Sequence, residues 1–491
     1  MYYTANNKDM KFTKYVFFLF IALLASACSD DDNEPGGNDG GEKNERTDIQ
    51  KWIEDTMRKE YYWYKDIPEA SKLKYKDVKP EDFFMSLLSE KDGKDYKIDE
   101  KTTGHYFYSS IEDLSKDTRS SIQTDYSYGF EFTGVNYGDE VRALIQYVLP
   151  NTPASDANLK RGNWISKINN APLTNSNYRS LYGSEECTLT IVEFDPTANK
   201  FINPKDVEVE SACPVEDNPV FHYDIITSPV KNKKVGYLVY NHFTDGKDEK
   251  DKSYDNELRT ISARLKGVDE FVLDLRYNNG GLLTSARLLC AILAPETALG
   301  KSFGYLKYND KKSGTSPIEV TKTTLAPGGQ NLNMEKIYVL VSSISASASE
   351  MVINSLRPHM GDKNVILIGE QTEGKNVGSN PYTSDDKLWK MHPITCQIYN
   401  SVDFTDYANG FSPDYEMNEA FKPRGDGYVD ILEMLPLGDP EERLLNAAIS
   451  LIDGKSITTR SSASSSNQAV YKKASIQSID RRATNGVIIN E

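Results

Sequence analysis

Histidine and cysteine are scarce in this chain, with five of each among 491 residues. So few imidazoles leave little material for a histidine-rich metal centre. The cysteines show neither CxxC pairs nor any other metal-ligand spacing. A surplus of positive charge is missing as well. Lys and Arg number 57 against 73 Asp and Glu, a net charge of −16. Phosphate attraction needs excess cations, so a general nucleic-acid binder is excluded. No internal repeats are found. The apolar run Tyr15 to Ala25 is too short to span a bilayer comfortably.

What is present begins at the N-terminus. Lys8, Lys11 and Lys14 precede that apolar run, and Leu24-Ala25-Ser26-Ala27 leads into Cys28. A positive region, an apolar core and small residues make an export signal over 1–27. The end of this segment resembles the lipobox of bacterial lipoproteins, whose cysteine thiol, here Cys28, is lipidated. The plainer alternative is a secretory signal cut at an Ala-x-Ala-like site. With lipidation, the chain is expected in the bacterial cell envelope, anchored at the periplasmic face or on the outer-membrane surface. Residues 28–46 are rich in Asp, Glu, Gly and Asn and read as a disordered tether. An oxidising compartment permits disulfides among Cys187, Cys213, Cys290 and Cys396, but the spacing assigns no pairing.

The remaining length allows several domains. From Thr47, Ile49, Ile53, Met57, Tyr61 and Tyr64 recur at helical spacing after Asp48, a capping residue, and Pro80-Glu81-Asp82 opens a second helix. A small helical domain is expected over 47–118. Residues 119–200 alternate like strands, as in Tyr128-Gly129-Phe130-Glu131-Phe132. With Pro153-Ala154 and Leu159-Lys160-Arg161-Gly162-Asn163, this stretch resembles a PDZ domain, a module that binds peptides by strand addition. That resemblance places Tyr128, Gly129 and Phe130 in the carboxylate-binding loop; the alternative is a β domain used only for packing. Over 218–453, short apolar runs (235–240, 271–275, 337–341, 365–368) alternate with helical stretches, the pattern of an α/β layer structure. The Ser-rich tail 454–491 lacks periodicity and reads as disordered.

Chemistry concentrates in two segments. Ser345-Ala346-Ser347-Ala348-Ser349-Glu350 follows a buried strand and opens a helix, whose N-terminus favours negative charge. Gly369-Glu370-Gln371-Thr372-Glu373-Gly374-Lys375 follows the next apolar strand. Ser347 and Lys375 therefore leave the ends of strands that could be neighbours, a geometry suited to a nucleophile and its base. Taken singly, each motif has a plain structural reading. Ser347 and Glu350 fit a capping box, Lys375 fits a surface lysine after a turn, and Gly280-Gly281 fits a tight turn.

Together with Asp274-Leu275-Arg276-Tyr277-Asn278-Asn279-Gly280-Gly281, these segments resemble the tail-specific, carboxy-terminal processing serine proteases, bacterial lipoprotein form. The likeness covers roughly 119–450. It implies a multidomain α/β chain: a crotonase-like protease core, a PDZ-like domain and a small N-terminal helical domain. It implies that Ser347 attacks the scissile carbonyl with Lys375 as general base, and that backbone N–H groups of Ala348 and of Gly280 or Gly281 hold the oxyanion. The substrate would be a protein or peptide gripped by its C-terminal tail, and neither metal nor organic cofactor is needed. The lysine must be neutral to act. At an ordinary pKa only about one in 2,500 is neutral at pH 7, so burial has to lower it, and Glu370 and Glu373 are expected to point away. The family's glutamine four residues after the lysine is Ser379 here, which leaves the partner orienting the base unassigned.

Three rival readings fit parts of the same sequence. The same scaffold with a misplaced dyad would be a catalytically weak or inactive peptide-binding adaptor. Gly300-Lys301-Ser302-Phe303-Gly304 matches the G-x-S-x-G elbow, but it leads into an extended stretch where the elbow needs a helix. His242 could serve Ser347 in a triad, though no acidic partner for it is identified.

Overall fold

The computed structural model describes residues 44–97, 102–115, 126–216, 218–248, 250–424, 428–457, 471–478 and 487–489. The export signal, Cys28 and nearly all of the tether lie outside the described residues, as does part of the tail.

The chain enters through helix Asp48–Glu60. Its cap is Thr47 and not Asp48: Thr47 Oγ1 accepts from Gln50 N–H, and the Gln50 side chain returns a bond to Thr47 N–H. A cap of this kind is worth about 1 kcal/mol. The buried stripe Ile53, Met57 packs with Phe83 and Phe84 of helix Pro80–Met85. The unit is not wholly helical as expected. Lys94–Lys97 and Thr103–Tyr106 form a hairpin, and Ser110–Asp113 pairs with Trp389–His392 of the α/β domain. Val377, Met391 and Ile394 complete the same apolar cluster, so this unit is seated on the α/β domain beside Lys375.

The second region is an antiparallel sheet. Its strands lie in the order Lys200–Val209, Cys187–Asp195, Trp164–Ile168, Glu140–Val148, Phe130–Tyr137 and Lys472–Gln477. The sheet runs past residue 200 to Val209, and its last strand comes from the expected disordered tail. Lys472 and Lys473 pair with Asn136 and Val135. Ile476 is buried in the domain core, and Ser478 Oγ accepts from Phe132 N–H at 2.6 Å. These bonds order a polar segment that has no periodicity of its own.

The α/β domain carries a six-stranded sheet. Its order is Val220–Thr227, Lys234–Tyr240, Glu270–Asp274, Ile337–Val341, Val365–Gly369 and Tyr415–Glu416. The first pair is antiparallel and the rest are parallel. Parallel neighbours require crossovers. Helices Ser253–Arg264, Leu283–Leu293 and Ala348–Met360 lie within those connections and bury Leu258, Leu289 and Val352 in one core. Helix Arg443–Ile452 covers the opposite face through Leu445 and Ile449. Strands covered on both faces read as unbroken apolar runs, and Ile337–Val341 is buried at every position. A second sheet orders Thr315–Glu319, Ser302–Tyr308, Ile394–Asn400, Val377–Ser379 and Val487–Ile488. Here too the tail contributes a paired strand. Cys187, Cys213, Cys290 and Cys396 are free thiols.

Candidate active site

Ser347 stands at the turn between strand Ile337–Val341 and helix Ala348–Met360, with φ 60° and ψ −113°. A non-glycine residue there stores about 1–3 kcal/mol and persists only when its surroundings over-determine it. They do so here. Ala346 N–H and Ser349 Oγ–H both donate to the Asn278 carbonyl, at 3.2 and 2.9 Å. Ser345 Oγ–H donates to the Leu275 carbonyl at 2.8 Å. A sharp strand-to-helix turn of this kind presents the side chain away from the main chain. Ser347 Oγ is buried; the Glu350 N–H faces it in a capping-box arrangement too loose to count as a hydrogen bond, so the hydroxyl has no partner at hydrogen-bond geometry among the described residues. Leaving a buried hydroxyl unpaired costs about 1–3 kcal/mol, and such exceptions ask for a chemical reason.

The glycines of the Asn279-Gly280-Gly281 segment lie against this turn. Gly280 has φ +111°, and a Cβ there would stand 2.6 Å from Ser347 Cβ and 2.9 Å from its Oγ. Of the N–H groups expected around an oxyanion, that of Gly280 is already donated to Asn278 Oδ1 at 2.9 Å. This leaves Gly281 and Ala348. The latter is a first-turn donor with no intrahelical acceptor.

Lys375 reaches the same place by a different route. Strand Val365–Gly369 runs parallel to Ile337–Val341, and the loop after it turns back so that Glu373 N–H donates to the Ser345 carbonyl at 3.0 Å. The clasp is Glu350. Its Oε2 accepts from Ser347 N–H at 2.9 Å and from Lys375 N–H at 2.7 Å. Its Oε1 accepts from Thr372 Oγ1–H and from Gly374 N–H, both at 2.6 Å. One carboxylate oxygen therefore touches the main chain of both residues, so their nitrogens lie within the sum of those two bonds. The capping-box reading of Glu350 captures only part of this, because the carboxylate also ties the lysine loop to the serine turn.

Lys375 is only 1% exposed, and its Nζ lies 4.4 Å from the ring centroid of Tyr108. Burial holds the ammonium far below its ordinary range, at about 7, against the opposing pull of Asp92, Glu373 and Glu350. Burial also pushes the Glu350 carboxyl up to about 7, a rise that its four donors limit. Of the two glutamates expected to point away, Glu370 does, lying 3.6 Å from Lys473 Nζ. Glu373 does not. Its carboxylate accepts from the Tyr106 and Tyr108 hydroxyls and favours the charged lysine.

The rivals fare differently. Ser302 starts strand Ser302–Tyr308, which removes the elbow. His242 is buried and makes no hydrogen bond to Ser347 Oγ. In the antiparallel domain, Tyr128 and Phe130 are buried side by side in the core. Gly129, at φ +90°, donates its N–H to Ser127 Oγ at 3.1 Å. Sequence reasoning missed Tyr108 and Asp92. They come from the N-terminal unit, more than 250 residues away in the chain, and no local signal marks them.

Residues 234–417 match the family profile "Peptidase family S41", and residues 48–128 match "Peptidase S41 N-terminal domain". A crystal structure of a Bacteroides fragilis protein assigned to the S41 proteases superposes with a TM-score of 0.68 at 33% identity. That match covers 82% of this chain and 97% of the other. The chain is 26% identical to a "Carboxy-terminal-processing protease" of Bartonella bacilliformis, over 64% of this chain and 66% of that protein. It is 28% identical to a "Carboxyl-terminal-processing protease" of Picosynechococcus, over 50% and 53% respectively. The matched stretch thus spans between half and two thirds of these curated relatives.

Proposed function

Because this chain belongs to peptidase family S41, we propose that it is a serine endopeptidase in which Ser347 is the nucleophile and Lys375 the general base. The carrying observation is an unpartnered serine hydroxyl at a strained helix start, tied through Glu350 to a buried lysine whose pKa is lowered to about 7. Ser347 Oγ attacks the scissile carbonyl and gives its proton to neutral Lys375 Nζ. The oxyanion is met by the N–H groups of Ala348 and Gly281. As the C–N bond breaks, Lys375 returns the proton to the leaving amine. Water then repeats the exchange and releases the acyl group from Ser347.

The finer parts of the reading belong to the same proposal. Parallel strands with intervening helices support a crotonase-like core. An antiparallel domain with a positive-φ glycine ahead of an edge-side strand supports a PDZ-like module that selects substrates by their C-terminal tails. Export and lipidation of Cys28 follow from the lipobox-like sequence; incorporation of a clickable fatty acid, lost in Cys28→Ala, tests it.

A fluorophosphonate probe separates the protease from the peptide-binding adaptor. Labelling that maps to Ser347, and is lost in Ser347→Ala and Lys375→Ala, is the expected result. Peptide binding without labelling at any pH overturns the enzymatic reading.

A further inference from the structure

Residues 487–489 lie in an unusual place. Val487-Ile488-Ile489 is threaded as a strand between two segments that flank the dyad. On one side, Ile488 N–H donates to the Gly281 carbonyl at 3.0 Å, and Ile488 bridges Leu282 in parallel register. On the other, Val487 and Ile488 pair with Gly378 and Ser379, and Ile489 N–H donates to the Ser379 carbonyl at 3.0 Å. Gly281 follows the glycine whose Cβ would meet Ser347, and strand Val377–Ser379 begins two residues after Lys375. A main chain lying here is paired on either side with the segments that adjoin the two reacting groups. Its side chains alternate as those of a bound strand do. Val487 and Ile489 enter the α/β core beside Cys396 and Ile398. Meanwhile Ser347 and Lys375 are 0% and 1% exposed, so no substrate reaches them with the chain in this arrangement.

A protease binds its substrate extended, and strand addition to an exposed main-chain edge is the general way to hold an extended peptide without regard to sequence. In this molecule the edge that adjoins the dyad is already taken, by a segment of the same polypeptide. The preceding described stretch of the tail, Lys472–Gln477, is likewise added to the edge of the antiparallel domain. We propose that residues 487–489 are a substrate mimic held in cis. They occupy the track that a substrate's main chain must take, and they keep the site closed until a peptide of similar extended, β-branched aliphatic character displaces them. The proposal rests on the serine-protease reading above. It adds to that reading a location for the substrate, a preference for aliphatic side chains where Val487 and Ile489 sit, and a competitor built into the chain.

The test releases the strand in the full chain. Ile488→Pro removes the donor to Gly281. If the segment is a competitor, fluorophosphonate labelling speeds up by roughly tenfold to a hundredfold, because the competent fraction is no longer limited by local opening. Added acetyl-Gly-Val-Ile-Ile-amide then slows labelling again. If the segment is merely structural, Ile488→Pro labels no faster while its melting temperature falls, and the proposal is overturned. Should Ile488→Pro not fold, the pair Ser379→Cys and Ile488→Cys serves instead. The oxidised, cross-linked form must label more slowly than the reduced form, and equal rates sink the idea. If no form labels at all, the protease reading fails separately. Fluorescence anisotropy with fluorescein-Gly-Val-Ile-Ile-amide then decides alone: about tenfold tighter binding to Ile488→Pro than to the unaltered chain supports cis occupancy, and equal binding refutes it.

Discussion

A lysine that takes a proton from serine must first be without one, and Lys375 achieves this by burial under Tyr108, not by a neighbouring cation. The lowered value of about 7 fixes the direction of the pH dependence. Acylation of Ser347 is expected to rise as pH increases through about 7 and to level off above it, as the neutral amine becomes the dominant form. Glu373 works against this by favouring the ammonium. Replacing it with glutamine removes that pull, so the lysine pKa falls and the rising limb moves to lower pH. A shift of roughly half to one pH unit, about 0.7–1.4 kcal/mol, is expected; it is well below the about 4 kcal/mol of a pair in direct contact at an effective dielectric of about 20, because the Tyr106 and Tyr108 hydroxyls already hold that carboxylate. Labelling rates measured from pH 5 to 9 in both proteins check this. An unmoved limb, or one displaced to higher pH, would show that Glu373 does not act on Lys375.

At the scale of elements, the approach of the Asn279-Gly280-Gly281 turn to the helix start leaves no room for a methyl group. Gly280→Ala brings a Cβ to 2.6 Å from Ser347 Cβ, at φ +111°, so either the turn or the serine must move. A displacement of about 1 Å at a reacting group costs on the order of a hundredfold, and the strained backbone adds about 1–3 kcal/mol of instability. Gly267→Ala is the control. It also has a positive φ, +87°, but nothing lies within 4 Å of its Cβ, so it should lose stability and keep its reactivity. Equal labelling of the two variants would mean that the contact with Ser347 is irrelevant. The same scale explains what could be read in advance. The two strands that lead into the dyad, Ile337–Val341 and Val365–Gly369, carry no charged residue because both faces are covered, and their order with the helices marks an α/β layer without ambiguity. Ser347 and Lys375 stand out because each follows such a strand. The tail strands were illegible for the opposite reason. Lys472-Lys473-Ala474-Ser475-Ile476-Gln477 is polar, and its order comes from the edge of Phe130–Tyr137, which lies over 330 residues earlier. The linking role of Glu350 was hidden likewise, since its partners Thr372, Gly374 and Lys375 arrive from the next crossover.

Across the whole molecule, the antiparallel domain is fastened to the α/β domain by charge as well as by apolar packing. Arg161 leaves the Leu159-Lys160-Arg161-Gly162 turn and meets Glu419 at 2.9 Å and Glu442 at 3.4 Å. It also donates to the Tyr277 hydroxyl and to the Leu435 carbonyl at 2.7 Å. Arg276 shares both carboxylates and adds Asp274 at 2.8 Å. Two arginines thus balance three carboxylates, Asp274 and Glu442 buried and Glu419 partly so, and Asp274, Arg276 and Tyr277 of this cluster belong to the segment that ends at Gly280-Gly281. Arg161→Met keeps bulk but leaves three negative charges on one guanidinium, and breaking a buried pair in this way costs about 3–5 kcal/mol. The pH dependence identifies the cause. Burial pushes Glu419 up, but Arg161 and Arg276 overcome it and hold the carboxyl at about 2. A carboxyl depressed in the folded state stabilises above its unfolded value, near 4.5, and that contribution is lost as pH falls toward 2. Guanidinium unfolding should therefore show the largest gap between Arg161→Met and the unaltered chain at neutral pH, closing as pH drops from about 4.5 toward 2. A gap of constant size across that range would mean that Arg161 holds the two domains together by packing alone, and that its charge plays no part.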